Sequence, residues 1–165
     1  MTASESSESV DRPEPDRLVA ENVVTGYGSS EILHGVSVRS HDGVTCIFGP
    51  NGSGKSTLIK ALNGIVPIWE GSVQYGDTDL TEYNANQVVE SGIITLPQDG
   101  GLFPNLTVRE NLEMGGYTVS DKTAVDDRIE ASLTAFPVLH DKLQSRAKSL
   151  SGGQQMMLSF ARAMV

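Results

Sequence analysis

The sequence predicts an α/β fold organised around a phosphate-binding loop. Three observations carry this expectation: a short apolar run at Val44–Phe48, a glycine-rich segment directly after it, and apolar residues at helical spacing directly after that. A short, nearly continuous apolar run is what a strand buried on both faces requires, as in a parallel sheet.

The elements follow in order. Residues 1–16 are rich in Ser, Glu, Asp and Pro and are expected to form a disordered acidic tail, because so few apolar side chains cannot offset the entropy of ordering. Leu18, Val19, Val23 and Val24 predict a first strand, Gly26–Ser30 a turn, and Ile32, Leu33, Val36 and Val38 a second strand closed by His41-Asp42-Gly43. Val44–Phe48 follows as a buried strand, with Cys46 as a small apolar core residue. The loop then leads into a helix over Ser56–Asn63, with Leu58, Ile59 and Leu62 on one side and Gly64 as its stop. Ser72–Tyr75 predicts an edge strand, Asn84–Ser91 a short helix, and Ile93–Leu96 a second buried strand ended by Pro97. The remainder is expected to be helical. Thr107 and Glu110 have capping-box spacing ahead of a helix that stops at Gly115-Gly116. Asp121 can cap a longer helix with Val125, Ile129, Leu133 and Phe136 on one face, stopped by Pro137. Ser151 and Gln154 again have capping-box spacing and open a last helix through Met156–Val165.

Composition narrows the function classes. Twelve Lys plus Arg against 21 Asp plus Glu give a net charge of -9, which argues against a nucleic-acid binder with its basic face. The acidic balance fits either ordinary solubility or a salt-adapted host. No apolar run approaches the ~20 residues of a membrane-spanning helix, and no signal pattern opens the chain. One cysteine excludes an internal disulfide and a cysteine-based zinc cluster, and fits a reducing compartment. His34 and His41 are expected at the surface.

Gly49-Pro50-Asn51-Gly52-Ser53-Gly54-Lys55-Ser56-Thr57 fits G-x-x-x-x-G-K-[ST]. Glycines allow successive backbone N–H groups to turn inward as an anion nest, and the following helix adds its positive end. Lys55 brings a mobile charge for the β- and γ-phosphates, and Ser56 a hydroxyl for Mg²⁺. Leu150-Ser151-Gly152-Gly153-Gln154 places two glycines in the first turn of a helix, which permits close approach of another backbone or a phosphate.

Together these two segments resemble the nucleotide-binding domain of ABC transporters, from Leu18 to Val165. The fold implied is a P-loop NTPase of the ABC ATPase type, with an antiparallel β edge and a helical subdomain. Its parts would be a P-loop core over 17–97, a helical subdomain over about 98–150 and a signature helix over 151–165. Leu96-Pro97-Gln98-Asp99 resembles the family's Q-loop, and Tyr27 sits where the family places an aromatic that stacks on adenine. Gly101–Leu112, Met114–Tyr117 and Gln154–Leu158 are similar to the branched-chain amino acid importer ATPases.

The resemblance implies further roles. Gly49–Ser56 would hold the phosphates of ATP, with Thr57 at the α-phosphate; Gln98 would approach Mg²⁺ and the attacking water, beside Ser56. Ser151, Gly152, Gly153 and Gln154 would touch the γ-phosphate of ATP held by a second ATPase subunit, identical or a paralogue, paired head-to-tail. Gly100–Tyr117 would meet the coupling helix of a transmembrane permease, on the cytoplasmic face of the membrane. In the family an apolar strand ending in Asp-Glu, and then a switch histidine, follow the signature. Neither occurs within these 165 residues, and His140 precedes the signature. The resemblance therefore implies a truncated domain with an incomplete core sheet and impaired hydrolysis. A non-transport ABC ATPase, or a nucleotide-binding fragment without catalysis, stays open as an alternative.

Overall fold

The computed structural model describes residues 17–97 and 100–165. The acidic stretch over 1–16 lies outside the described residues. The described chain forms two compact units, one through Ile93 and one from Ile94.

The first unit is a four-stranded antiparallel sheet in the order β2-β1-β3-β4. Its strands are β1 (Leu18–Tyr27), β2 (Ser30–Arg39), β3 (Glu70–Tyr75) and β4 (Thr78–Asp79). β1 and β2 are one hairpin in which Tyr27 pairs with Ser30, so the turn is tighter than the sequence predicts. β1 also pairs along its other side with β3. The predicted edge strand at Ser72–Tyr75 is therefore an inner one, because the short β4 covers its far side. Ala20, Val23, Leu33 and Val73 turn from the sheet into a core completed by Leu58 and Leu62 of α1 (Lys55–Leu62). Leu58 and Leu62 are four residues apart and so share one face of that helix. The buried Thr25 hydroxyl donates to the carbonyl of Pro67 at 2.6 Å, which ties the end of β1 to the connection beyond α1. The short α2 (Ala85–Glu90) starts on a capping box between Asn84 and Gln87.

The two strands predicted as buried are corrected. Val44–Phe48 and Ile93–Leu96 are irregular, and neither lies in the sheet. Val44 and Phe48 are 89% and 88% exposed, and Cys46 is exposed rather than a core residue. The reason is that apolar content reports what a segment can bury, whereas a strand exists only where a neighbour accepts its ladder hydrogen bonds. Among the described residues no strand pairs with either segment.

The second unit is helical: α3 (Val108–Gly115), α4 (Lys122–Ala135) and α5 (Gly152–Ala163), with 3₁₀ turns at Pro137–Lys142 and Ala147–Ser149. Its caps are those the spacing predicts. Thr107 and Glu110 cap α3 reciprocally, Asp121 accepts from the Thr123 N–H at the start of α4, and Ser151 and Gln154 cap α5 reciprocally. The Thr107 backbone N–H and then its hydroxyl hold the Glu110 carboxyl below its ordinary pKa. Val108, Leu112, Ile129, Leu133, Leu139 and Leu158 are among the buried core residues, with Val125 and Phe136 packed against them. Each fully buried Leu contributes about 1.5–3 kcal/mol.

Asn111, Ser132 and Ser159 are polar side chains buried among these helices. Asn111 is fully buried, accepts from the Phe103 N–H at 2.9 Å, and donates to the carbonyls of Phe103 and Thr107 at 3.0 and 2.9 Å. It thereby fixes the segment leading into α3. Asn111→Ala strands these backbone groups without a partner, so stability is expected to fall by about 3 kcal/mol. Urea unfolding of the intact protein checks this, with faster amide exchange at Phe103 as the local signature.

Candidate functional site

Gly49–Gly54 forms the loop between the irregular 44–48 segment and α1. Gly52 and Gly54 have φ of 83° and 86°, the left-handed region where other residues are strained. At Gly54 the demand is also steric, since a Cβ there would lie 2.6 Å from Cδ2 of Leu33. Gly54 is the N-cap of α1 and provides no side-chain cap; the first helical bond runs from the Leu58 N–H to the Gly54 carbonyl at 2.8 Å. The amides of the preceding turn therefore have no acceptor within the helix. No acidic residue stands in that turn, so the positive end of the helix is uncompensated.

Lys55 folds back over the loop. Its ammonium donates to the carbonyls of Gly49 and Pro50, both at 2.7 Å. The loop thus closes on a cation that belongs to the helix. Ser56 is exposed at the first turn of α1, whereas Thr57 is buried. This arrangement concentrates N–H donors and one ammonium in a single place, which suits a polyphosphate.

Tyr27, at the end of β1, is 47% exposed, and the structure joins it to the helix after the loop. Lys60 Nζ donates to the Tyr27 oxygen at 3.4 Å. The Thr57 hydroxyl first, and Lys60 after it, hold the Tyr27 phenol below its ordinary pKa, against a desolvation effect that raises it. Lys60 is absent from the sequence-predicted residues. Thr57 and Lys60 lie three apart on one helix, but nothing local connects them to a tyrosine in β1.

In the second unit, Ser151 caps α5: its hydroxyl accepts from the Gln154 N–H at 3.3 Å, and its own N–H donates to Gln154 Oε1 at 3.1 Å. A Cβ at Gly152 or Gly153 would meet nothing within 4 Å. Packing among the described residues therefore does not require glycine at either position. Gln98 lies outside the described residues.

The sequence matches the ABC transporter family over residues 33–165. It is 42% identical over 141 residues to the probable branched-chain amino acid transport ATP-binding protein LivF of Archaeoglobus fulgidus, covering 85% of this chain and 59% of that protein. It is 36% identical over 149 residues to the high-affinity branched-chain amino acid transport ATP-binding protein BraG of Pseudomonas aeruginosa, covering 90% of this chain and 64% of that protein. A crystal structure of an ATP-binding cassette of an ABC transporter in its ADP conformation is similar with a TM-score of 0.77 and 31% identity, over 90% of this chain and 64% of that one. The chain thus spans about three fifths of the length of the relatives it matches.

The glycines can be told apart by substitution. Gly152→Ala is expected to leave the melting temperature unchanged or raise it slightly, since alanine favours a helix by about 0.5–1 kcal/mol and the space is open. Gly115→Ala puts a Cβ 2.3 Å from the Arg162 carbonyl oxygen and is expected to cost about 1–3 kcal/mol. Thermal unfolding of the two variants of the intact protein makes the comparison.

Proposed function

This chain belongs to the ABC transporter family, and from that premise we propose that it is the ATP-binding part of an importer's motor subunit, driving uptake of branched-chain amino acids. The single observation that carries the reading is the Gly49–Gly54 loop closed on the Lys55 ammonium ahead of α1. A triphosphate tail meets there unpaired first-turn amides, the positive end of a helix and a cation that exchanges backbone carbonyls for phosphate oxygens. In this reading Gly49–Ser56 hold the phosphates, Thr57 contacts the α-phosphate and Tyr27 stacks on the base.

The exposed Ser56 hydroxyl is a hard oxygen donor of the kind Mg²⁺ takes, and it would hold the ion; Gln98, outside the described residues, would be the second donor in this reading. When bound, the ion neutralises charge that develops on the phosphates. Gln98 orients the attacking water, and Lys55 stabilises the same charge from the loop side.

Ser151–Gln154 face a second ATPase subunit, which pairs head-to-tail so that each signature segment contacts the γ-phosphate held by the other. The open space around Gly152 and Gly153 supports this, because a glycine with no internal steric duty at a helix start leaves room for something outside the chain. Among the described residues no helix is long and apolar enough to cross a membrane. The subunit is placed at the cytoplasmic face by docking of Gly100–Tyr117 to a separate permease. The amino-acid substrate rests on the names of the two relatives at 42% and 36% identity.

The experiment separates the two faces of the site in the intact protein. Lys55→Ala is expected to lower ATP affinity or turnover by at least about tenfold, since a charge-assisted contact is lost. Ser151→Arg is expected to keep ATP binding within about twofold while turnover falls about 10²-fold or more. Equilibrium binding and phosphate release read these out; unchanged turnover in Lys55→Ala overturns the phosphate-loop assignment. Uptake of labelled leucine, lost on deletion of the gene and restored by the native chain but not by Lys55→Ala, tests the substrate class.

A further inference from the structure

Tyr27 and Lys60 are 33 positions apart, yet the Lys60 ammonium lies 3.4 Å from the Tyr27 oxygen. The same nitrogen is 5.5 Å from the ring centroid. A cation standing over the middle of the ring is nearer its centre than its hydroxyl. Here the order is reversed, so the ammonium sits toward the hydroxyl end of the ring. Thr57 stands three positions earlier in α1, on the same side of the helix.

A half-exposed tyrosine at the end of a hairpin strand would otherwise turn about its side-chain bonds. Anchoring the phenol oxygen limits where the far end of the side chain can swing and leaves the side chain half-exposed. The anchor stands on the helix that begins at Lys55, so the ring is held relative to the phosphate loop by α1 as well as by the backbone of β1. We propose that Lys60 is a positioning residue for base recognition: it holds the Tyr27 ring through its hydroxyl as a stacking platform for the planar base of a nucleoside triphosphate. The inference rests on the reading above, in which Tyr27 stacks on the base and the loop takes the phosphates. The depressed pKa of the Tyr27 phenol, set first by Thr57 and then by Lys60, agrees with an oxygen held from α1.

The test compares two probes, ATP and inorganic tripolyphosphate, on the intact protein. Lys60→Met keeps the length of the side chain and removes the ammonium. It is expected to weaken ATP binding by about tenfold, the scale of one base–aromatic stack, and to leave tripolyphosphate within about twofold. Lys60→Arg is expected to restore most of the ATP affinity. In a Tyr27→Phe background, which keeps the ring and removes the anchored oxygen, Lys60→Met is expected to have little further effect. An equal loss for both probes, no loss for ATP, or the same loss in the Tyr27→Phe background each overturns the proposal. Failure of the underlying reading looks different: native protein that does not bind tripolyphosphate refutes the phosphate loop, and Tyr27→Ala that binds ATP normally refutes the base platform.

Discussion

The Lys55 ammonium, held by the carbonyls of Gly49 and Pro50, is the contact on which the glycine loop of the first unit depends. Ordering a loop as rich in glycine as residues 49–54 costs about 1–2 kcal/mol per residue, near the upper end because glycine has the most freedom to lose. Hydrogen bonds to a charged donor return about 1.5–3 kcal/mol each in a dry setting and less at a half-exposed site. The two lysine contacts therefore cannot hold the loop alone. Its far end is anchored by packing instead: Gly54 lies against Leu33, and Leu58 and Leu62 bury the following helix against the sheet. The loop is thus fixed at one side by apolar burial and closed at the other by a cation. A polyanion can take over that cation without disturbing the packed side.

Glycine serves opposite ends in the two units. At Gly54 the backbone conformation and the neighbouring Leu33 both exclude a side chain, so the residue is required by the fold itself. At Gly152 and Gly153 neither the helix nor any neighbour excludes one. Glycine early in a helix is a local cost with no internal return. The start of α5 is nevertheless rigid, since Ser151 and Gln154 satisfy each other's backbone donors and Leu150 and Leu158 are buried on either side of the glycines. A rigid, bare helix start is suited to close approach from outside the chain, and that is the physical content of the signature segment in the proposed dimer.

What the sequence made legible was local. The capping pairs at Thr107–Glu110 and Ser151–Gln154, the Asp121 cap and the apolar faces of α1 and α4 all depend on residues within one or two turns, and each is where the spacing predicts except at Ile59, which is exposed rather than packed with Leu58 and Leu62. The shape of the Gly49–Gly54 loop was legible for the same reason, because glycines and a lysine at fixed spacing describe a local backbone shape. Val44–Phe48 and Ile93–Leu96 were misread as strands for the complementary reason. A ladder is a relation between two segments, and composition describes only one of them. The exposed Cys46 follows from the same error. The link from Thr57 and Lys60 to Tyr27 was invisible in the sequence, being made by the side-by-side packing of α1 and the hairpin.

That link changes how base and phosphate recognition relate. If Tyr27 were placed by β1 alone, the distance between base platform and phosphate loop would depend on how hairpin and loop happen to settle. With Thr57 and Lys60 both on α1, that distance follows a helix whose rise is ~1.5 Å per residue and whose first turn is the phosphate site itself. Movement of α1 carries the loop's ammonium and the ring's anchor together. In the proposed reading, recognition of the two ends of a nucleotide is set by one short helix, and its packing against β1 and β2 becomes part of the binding site.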